Sequence, residues 1–215
     1  RHLCTVEEPN EFVTTSKRSI ITHREVPIHT PSFADGLRAS LREDSDIVLV
    51  GEMRDLETIS LALTASETGL LVFGTLHPNN ARKTIDRIID VFPSDQQSQV
   101  RTMLAASIRG VVAQLLCKRC DKPGRTAVHE IMFATPAVQA IIREGATQKL
   151  YDVITGGKGQ GMQFMDESIW SKLREGMISP QEAYMKAIDK TRFKRFLPKE
   201  LAHLGDASGE NPLDH

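Results

Sequence analysis

Residues 47–77 read IVLVGEMRDLETISLALTASETGLLVFGTLH: an apolar strand ending in a carboxylate, a helix, and a second apolar strand ending in a histidine. Few patterns restrict a chain more. A strand, a crossover helix of about a dozen residues and another strand close as a right-handed parallel βαβ unit, which brings both polar ends to one edge of a sheet. Ile47-Val48-Leu49-Val50 has the continuous apolar character of a strand buried on both faces of a parallel sheet. Gly51 and Glu52 then put a carboxylate just past its C-terminal end, where open α/β sheets bind ligands. Asp55 is placed to N-cap the helix and Gly69 to close it. The second strand, residues 70–73, delivers Thr75 and His77 to the same edge. A hydrophobic strand followed by an acid is how nucleoside triphosphatases hold magnesium and orient water. Taken alone, the same pattern also describes a strand that ends in a solvated Glu.

At 215 residues and 40% hydrophobic content, the chain is long enough for a full core, read here as one domain with a small helical appendage. A formal net charge of -1 gives no bulk electrostatic reason for nucleic-acid binding. No apolar run approaches the roughly 20 residues of a membrane span, and no signal peptide is visible. Three cysteines argue against a disulfide scaffold and for a reducing cytosol. The chain opens on Arg1 and reaches its first Met at Met53, which reads as a fragment or a processed piece.

Leu3 to Val6 reads as a short strand running into Glu7-Glu8-Pro9-Asn10-Glu11. Carboxylates at a strand end, with a proline barring further pairing, suit a metal- or water-handling loop; a solvated acidic turn is the plainer alternative. Residues 19–26 form another expected strand, carrying His23, Arg24 and Glu25, and Ser32 caps a helix with Phe33, Leu37 and Leu41 on one face. A helix is expected over residues 81–89, and Ser94 with Gln97 predicts a capping box for a helix reaching about Arg109. Two strands follow, residues 111–116 and 125–131. From Thr135 onward the pattern predicts short helices, the first from Pro136 to Gly145. Gly156 to Gly161 reads as a flexible connector, and Ser179-Pro180-Gln181-Glu182 as a strong helix start.

Two motifs fail on inspection and a third stays incomplete. Gly156 to Gly161 lacks the Lys and hydroxyl order of a phosphate loop, and neither G-K-S nor G-K-T occurs in the 215 residues. Cys117-Lys118-Arg119-Cys120 is half of a zinc site, with Cys4 the only further cysteine; reduced thiols, a redox pair and a metal all remain open. His129-Glu130 lacks the second histidine of a zincin, because Phe133 stands there.

TVEEPNEF, LREDSDIVLVGEMRDLETISLALTASETG and VFGTLH together closely resemble the secretion ATPase superfamily that powers type II secretion and type IV pili, over about residues 1–190. GEMRDLETI, FGTLH, KTIDRIIDVFP, AVHEIM and GMQFMD are most similar to its PilT-type pilus retraction motors. The resemblance implies an α/β fold: part of a RecA-like P-loop NTPase core with a mainly parallel sheet over residues 1–134, and a helical subdomain over 135–190. Beyond Lys190 the composition, basic and then rich in Gly, Asp and Glu, predicts a disordered tail over 191–215. The resemblance also implies that Glu52 is the Walker B glutamate, activating water and supporting magnesium, and that Glu7, Glu8 and Glu11 are an aspartate box. His77 with Thr75 corresponds to a histidine box near the γ-phosphate. Glu52, Glu7 and His77 are thus the implied catalytic residues; Glu8, Glu11, Arg54, Asp55 and Thr75 line the nucleotide, and Glu52 and Glu8 hold Mg2+ through water. Arg143 and Glu144 fall in a motif tied to retraction, although Gln139 and Ala140 replace its Arg and Asn. Glu8 likewise stands where Asp is usual.

The implied parent is a cytoplasmic homohexamer at the inner-membrane pilus base, using ATP and Mg2+. Its implied partners are a pilus platform protein and a paralogous ATPase, without nucleic acid or a membrane span. The family's P-loop and PAS-like domain precede the matching segment, so the 215 residues alone are expected to be inactive. The alternatives are a type II/IV secretion or pilus assembly ATPase, and a non-catalytic module that joins such a hexamer.

Overall fold

The structure, a computed structural model, describes residues 1–10 and 13–198. In chain order these form β1 (His2–Glu7), β2 (Ile20–Glu25), α1 (Phe33–Ser40), β3 (Ile47–Val50), α2 (Leu56–Glu67), β4 (Leu71–Gly74), α3 (Ala81–Asp90) and α4 (Gln97–Ser107). They continue with β5 (Gly110–Lys118), β6 (Arg125–Phe133), α5 (Pro136–Glu144), α6 (Leu150–Gly156), α7 (Met165–Arg174), α8 (Pro180–Lys186) and α9 (Thr191–Lys194). The chain divides into two compact units, and the division does not follow a boundary at residue 134. One contains Arg1–Pro78, Thr84–Ile108 and Gln139–Thr147; the other contains Asn79–Lys83, Arg109–Val138 and the residues from Gln148 onward.

The first unit is built on a parallel sheet in the order β2-β1-β3-β4, with Thr5 opposite His23, Leu49 opposite Thr5 and Phe73 opposite Leu49. This meets the expectation of an α/β fold with a mainly parallel sheet. Its core joins Val48 and Val50 of β3 to Leu37 of α1 and to Ala62 and Ala65 of α2. Helix α1 begins where the hydroxyl of Ser32 accepts the Asp35 N–H, and the chain turns out of α2 just past its Thr68 cap at Gly69, whose φ of 103° few residues other than glycine adopt. Strand β3 is not buried on both faces, however. Val48 and Val50 are enclosed, whereas Ile47 and Leu49 are half-exposed, because only the face toward α1 and α2 is fully covered. Residue 97 differs from expectation too: α4 has no side-chain cap, and Gln97 donates from its side-chain amide to the Phe92 carbonyl at 3.1 Å instead of closing a box with Ser94.

In the second unit β5 and β6 form an antiparallel pair, with Gln114 opposite His129. Helix α7 packs on β6 and α8 on β5 around Cys117, Val128, Met165, Ile169 and Phe193. The glycine-rich stretch expected as a connector is a folded turn: α6 ends at Gly156 and a 3-10 turn over Gly157–Gln160 follows. Gly157 is buried there, because the side chain of Met162 fills the space a Cβ would occupy. Order also runs past residue 190, where a disordered tail was expected to begin. Helix α9 buries Phe193, whose ring lies 6.3 Å from that of Trp170, and the ring of Phe196 lies 5.0 Å from the same indole. Residues 199–215 lie outside the described residues.

Candidate functional site

Parallel pairing decides where the polar residues meet. Strands β1, β3 and β4 run the same way, so Glu7, Glu52 and His77 leave the sheet at one edge. Main-chain bonds then lace the loops that follow the strands. The Gly51 N–H donates to the Val6 carbonyl at 2.7 Å, the Thr75 N–H to Val50 at 3.3 Å and the Met53 N–H to Thr75 at 3.0 Å, while the Thr75 hydroxyl donates to the Gly51 carbonyl. Two glycines permit this closeness: a Cβ on Gly51 would lie 3.1 Å from the Glu7 Cα, and one on Gly74 would lie 2.4 Å from Met53 Cε.

Glu52 sits at the centre. Its Oε1 meets Nε2 of His77, and its Oε2 meets the guanidinium of Arg54. Its side chain is 14% exposed, against 68% for Arg54 and 81% for His77, so a sheltered carboxylate is fenced by two solvated arms. The hydrogen bond from Arg54, with His77 adding to it, holds the Glu52 carboxyl below its usual range. Arg54 is raised in turn, chiefly by Glu52, with the negative charge of Glu8 contributing. Such a carboxylate stays ionised at neutral pH and can accept a hydrogen bond from water, although a depressed pKa makes it a weak base while both oxygens are engaged.

Glu7 is part-buried beside Gly51, with His23 Nδ1 at 3.9 Å from its Oε1. His23 also reaches the Thr5 hydroxyl at 3.1 Å through Nδ1 and the Thr14 carbonyl at 2.9 Å through Nε2. A carbonyl can only accept, so Nε2 carries the proton and, in the neutral ring, Nδ1 accepts from Thr5. This placing of His23 beside the acidic loop was not evident from the sequence; it follows from the Thr5–His23 register.

Of the other expected site residues, Glu8 is exposed just beyond β1, and Glu11 lies outside the described residues. Asp55 turns both oxygens to Thr58, accepting its N–H and its hydroxyl at 2.8 Å each, as the cap of α2. Thr75 is engaged by Gly51, as above. Arg143 and Glu144 are exposed on the last turn of α5 and make none of the contacts around Glu52. Cys117 is buried, which pushes its thiol up to about 11, and the Cys120 thiol faces the Gly176 carbonyl at 3.4 Å; both are free. Among the described residues no three His, Cys, Asp or Glu side chains gather as a ready-made metal cage. The hard carboxylate oxygens of Glu52 and Glu8 nevertheless suit Mg2+, which keeps much of its water and seldom takes an all-protein cage. A cleft of about 800 Å³ in the second unit, walled by Ile131, Met162, Phe164 and Trp170, contains none of these residues.

Residues 1–185 match the family described as type II/IV secretion system protein. The chain is 52% identical over 186 residues to a twitching motility protein of Neisseria gonorrhoeae, covering 86% of this chain and 50% of that one. It is 50% identical over 186 residues to the type IV pilus retraction ATPase PilT of Pseudomonas aeruginosa, covering 86% and 54%. In three dimensions it superposes on the crystal structure of the pilus retraction motor PilT with bound ADP at a TM-score of 0.82 and 41% identity, covering 90% of this chain and 55% of that one. The chain therefore spans about half the length of the curated relatives it matches.

Proposed function

Because the chain belongs to the type II/IV secretion system protein family, we propose that it is the hydrolytic part of an ATP-driven type IV pilus retraction motor. The observation that carries this reading is the meeting of Glu52 and His77 at the ends of adjacent parallel strands, with Glu7 held against Gly51 beside them. Glu52, on a short laced loop, aligns a water and accepts its proton. His77 holds one Glu52 oxygen and presents its own exposed ring toward the phosphates. Glu7, beside His23, orders the water network, while Asp55 fixes the start of α2 and Thr75 the loop after β4. Glu52 and Glu8 would hold Mg2+ through water, and when bound that ion would neutralise charge on the transferring phosphoryl group.

No G-K-S or G-K-T occurs within these 215 residues, so the phosphate cradle that completes this chemistry is not supplied by them. On that account the isolated 215 residues do not turn over ATP. Within the parent the same edge works in a cytoplasmic homohexamer at the inner-membrane pilus base, pulling on a platform protein and meeting a paralogous ATPase there. Arg143 and Glu144 would serve that coupling rather than hydrolysis. Among the described residues no helix is long and apolar enough to cross a membrane.

The test is the ATPase rate of the gene product extended upstream through its P-loop, beside Glu52→Gln in the same protein. We expect the substitution to lower the rate by about a thousandfold or more, the scale seen when a catalytic group is removed from a preorganised site. An extended protein without activity would favour the non-catalytic module.

A further inference from the structure

On the reading that Glu52 serves as the base, we propose that Arg54 is a latch upon it: the guanidinium occupies Oε2 at rest and swings away to an incoming phosphate-type oxyanion, freeing that oxygen for water. Three observations carry this. First, each Glu52 oxygen already faces one donor, His77 at Oε1 and Arg54 at Oε2; a lone pair on each can still meet water, but with the guanidinium cation against Oε2 that oxygen is a poor proton acceptor until Arg54 leaves.

Second, the backbones around the latch are fixed while its arms are free. Met53 packs onto Gly74 and donates its N–H to Thr75, and Asp55 is tied to Thr58, so the residues on either side of Arg54 are anchored. The Arg54 side chain itself is two-thirds solvated. Water reaches the guanidinium at all times and can solvate it as it leaves, so a competing anion can draw it off the carboxylate.

Third, the competitor the guanidinium prefers is geometrically defined. A multivalent oxyanion offers two acceptors and more charge than one carboxylate, matching the planar fork that makes Arg a phosphate-binding residue. After the exchange His77 still holds Oε1, so the carboxylate keeps its orientation while Oε2, rid of its cation, becomes the more basic oxygen. One contact would thereby link anion arrival to base release, and the site would be idle without its ligand.

The test uses the full 215-residue chain, inorganic pyrophosphate as probe, and the carbon-13 shifts of the Glu52 carboxyl and Arg54 guanidinium near neutral pH. We expect both signals to move with one midpoint, and Glu52 in Arg54→Gln to begin at the released position and respond no further. Arg54→Lys should retain a weaker response. The latch is overturned if neither signal moves, if one moves without the other, if sodium chloride at matched ionic strength does the same, or if Glu52 in Arg54→Gln matches the parent. The outcome is separable from the hydrolytic reading. Coupled shifts with an inactive extended protein leave the latch and remove its purpose; uncoupled shifts beside a Glu52-dependent ATPase leave hydrolysis and remove the latch.

Discussion

Glu130 is a residue whose importance is structural. It is buried on β6, yet its carboxylate accepts the Ala81 N–H at 2.7 Å and the Met165 N–H at 3.3 Å, satisfying the first turns of α3 and α7 with one side chain. Glu130→Gln replaces one acceptor by a donor and should cost about 1–3 kcal/mol, read as a lower urea midpoint by the fluorescence of Trp170, the one tryptophan in the chain. Asp166 plays a matching part, accepting the N–H groups of Ile188 and Asp189 at 2.8 Å each. Burial holds both carboxyls above their usual range, so the folded protein binds these protons at higher pH than the unfolded chain does. Stability therefore falls as pH rises from the unfolded toward the folded pKa, and the loss is complete above the folded value. Measured against Asp166→Asn over a pH series, the parent should lose ground across that window; a constant difference would show that burial does not shift the group. In the sequence His129-Glu130 was legible only as a failed metal motif, because nothing local says that two helix starts will converge on one carboxylate.

Elements were the most legible level, and their ends the least. Asp55 and Ser179 cap α2 and α8 as their spacing predicts, since an N-cap is a contact among residues three apart. Asp55→Ala should cost the first unit about 1 kcal/mol, seen as faster hydrogen exchange at the amides of α2. The glycine-rich turn after α6 illustrates the opposite case. A Cβ on Gly157 would meet Met162 Sδ at 2.6 Å and Cγ at 2.9 Å, whereas one on Gly156, in helical backbone, meets nothing within 4 Å. Gly157→Ala should therefore destabilise the second unit by about 1–3 kcal/mol, while Gly156→Ala should leave it unchanged or up to about 1 kcal/mol more stable. Equal thermal shifts for the two would mean that Met162 does not hold this turn. Composition alone made both glycines look like linker, because it carries no record of the side chain that returns five residues later.

For the whole molecule, the consequence is an exposed apolar surface on β4. Among the described residues that strand pairs only with β3, and Leu71 and Phe73 remain 41% and 52% exposed. With a net charge of -1, little long-range repulsion opposes contact between copies. Phe73→Lys should slow aggregation of the 215-residue chain, measured by light scattering near neutral pH; unchanged kinetics would place the sticky surface elsewhere. The sequence by itself determined the βαβ pattern, the polar residues at the strand ends and the family, because period, caps and motif spelling are local properties. The tertiary structure alone decided that Arg54 and His77 share the two oxygens of Glu52, that His23 lies beside Glu7, that Glu130 serves two helices and that β5–β6 joins the helices from residue 148 onward. Those facts depend on strand register and on packing between segments distant in the chain, and neither is written in any short stretch of residues.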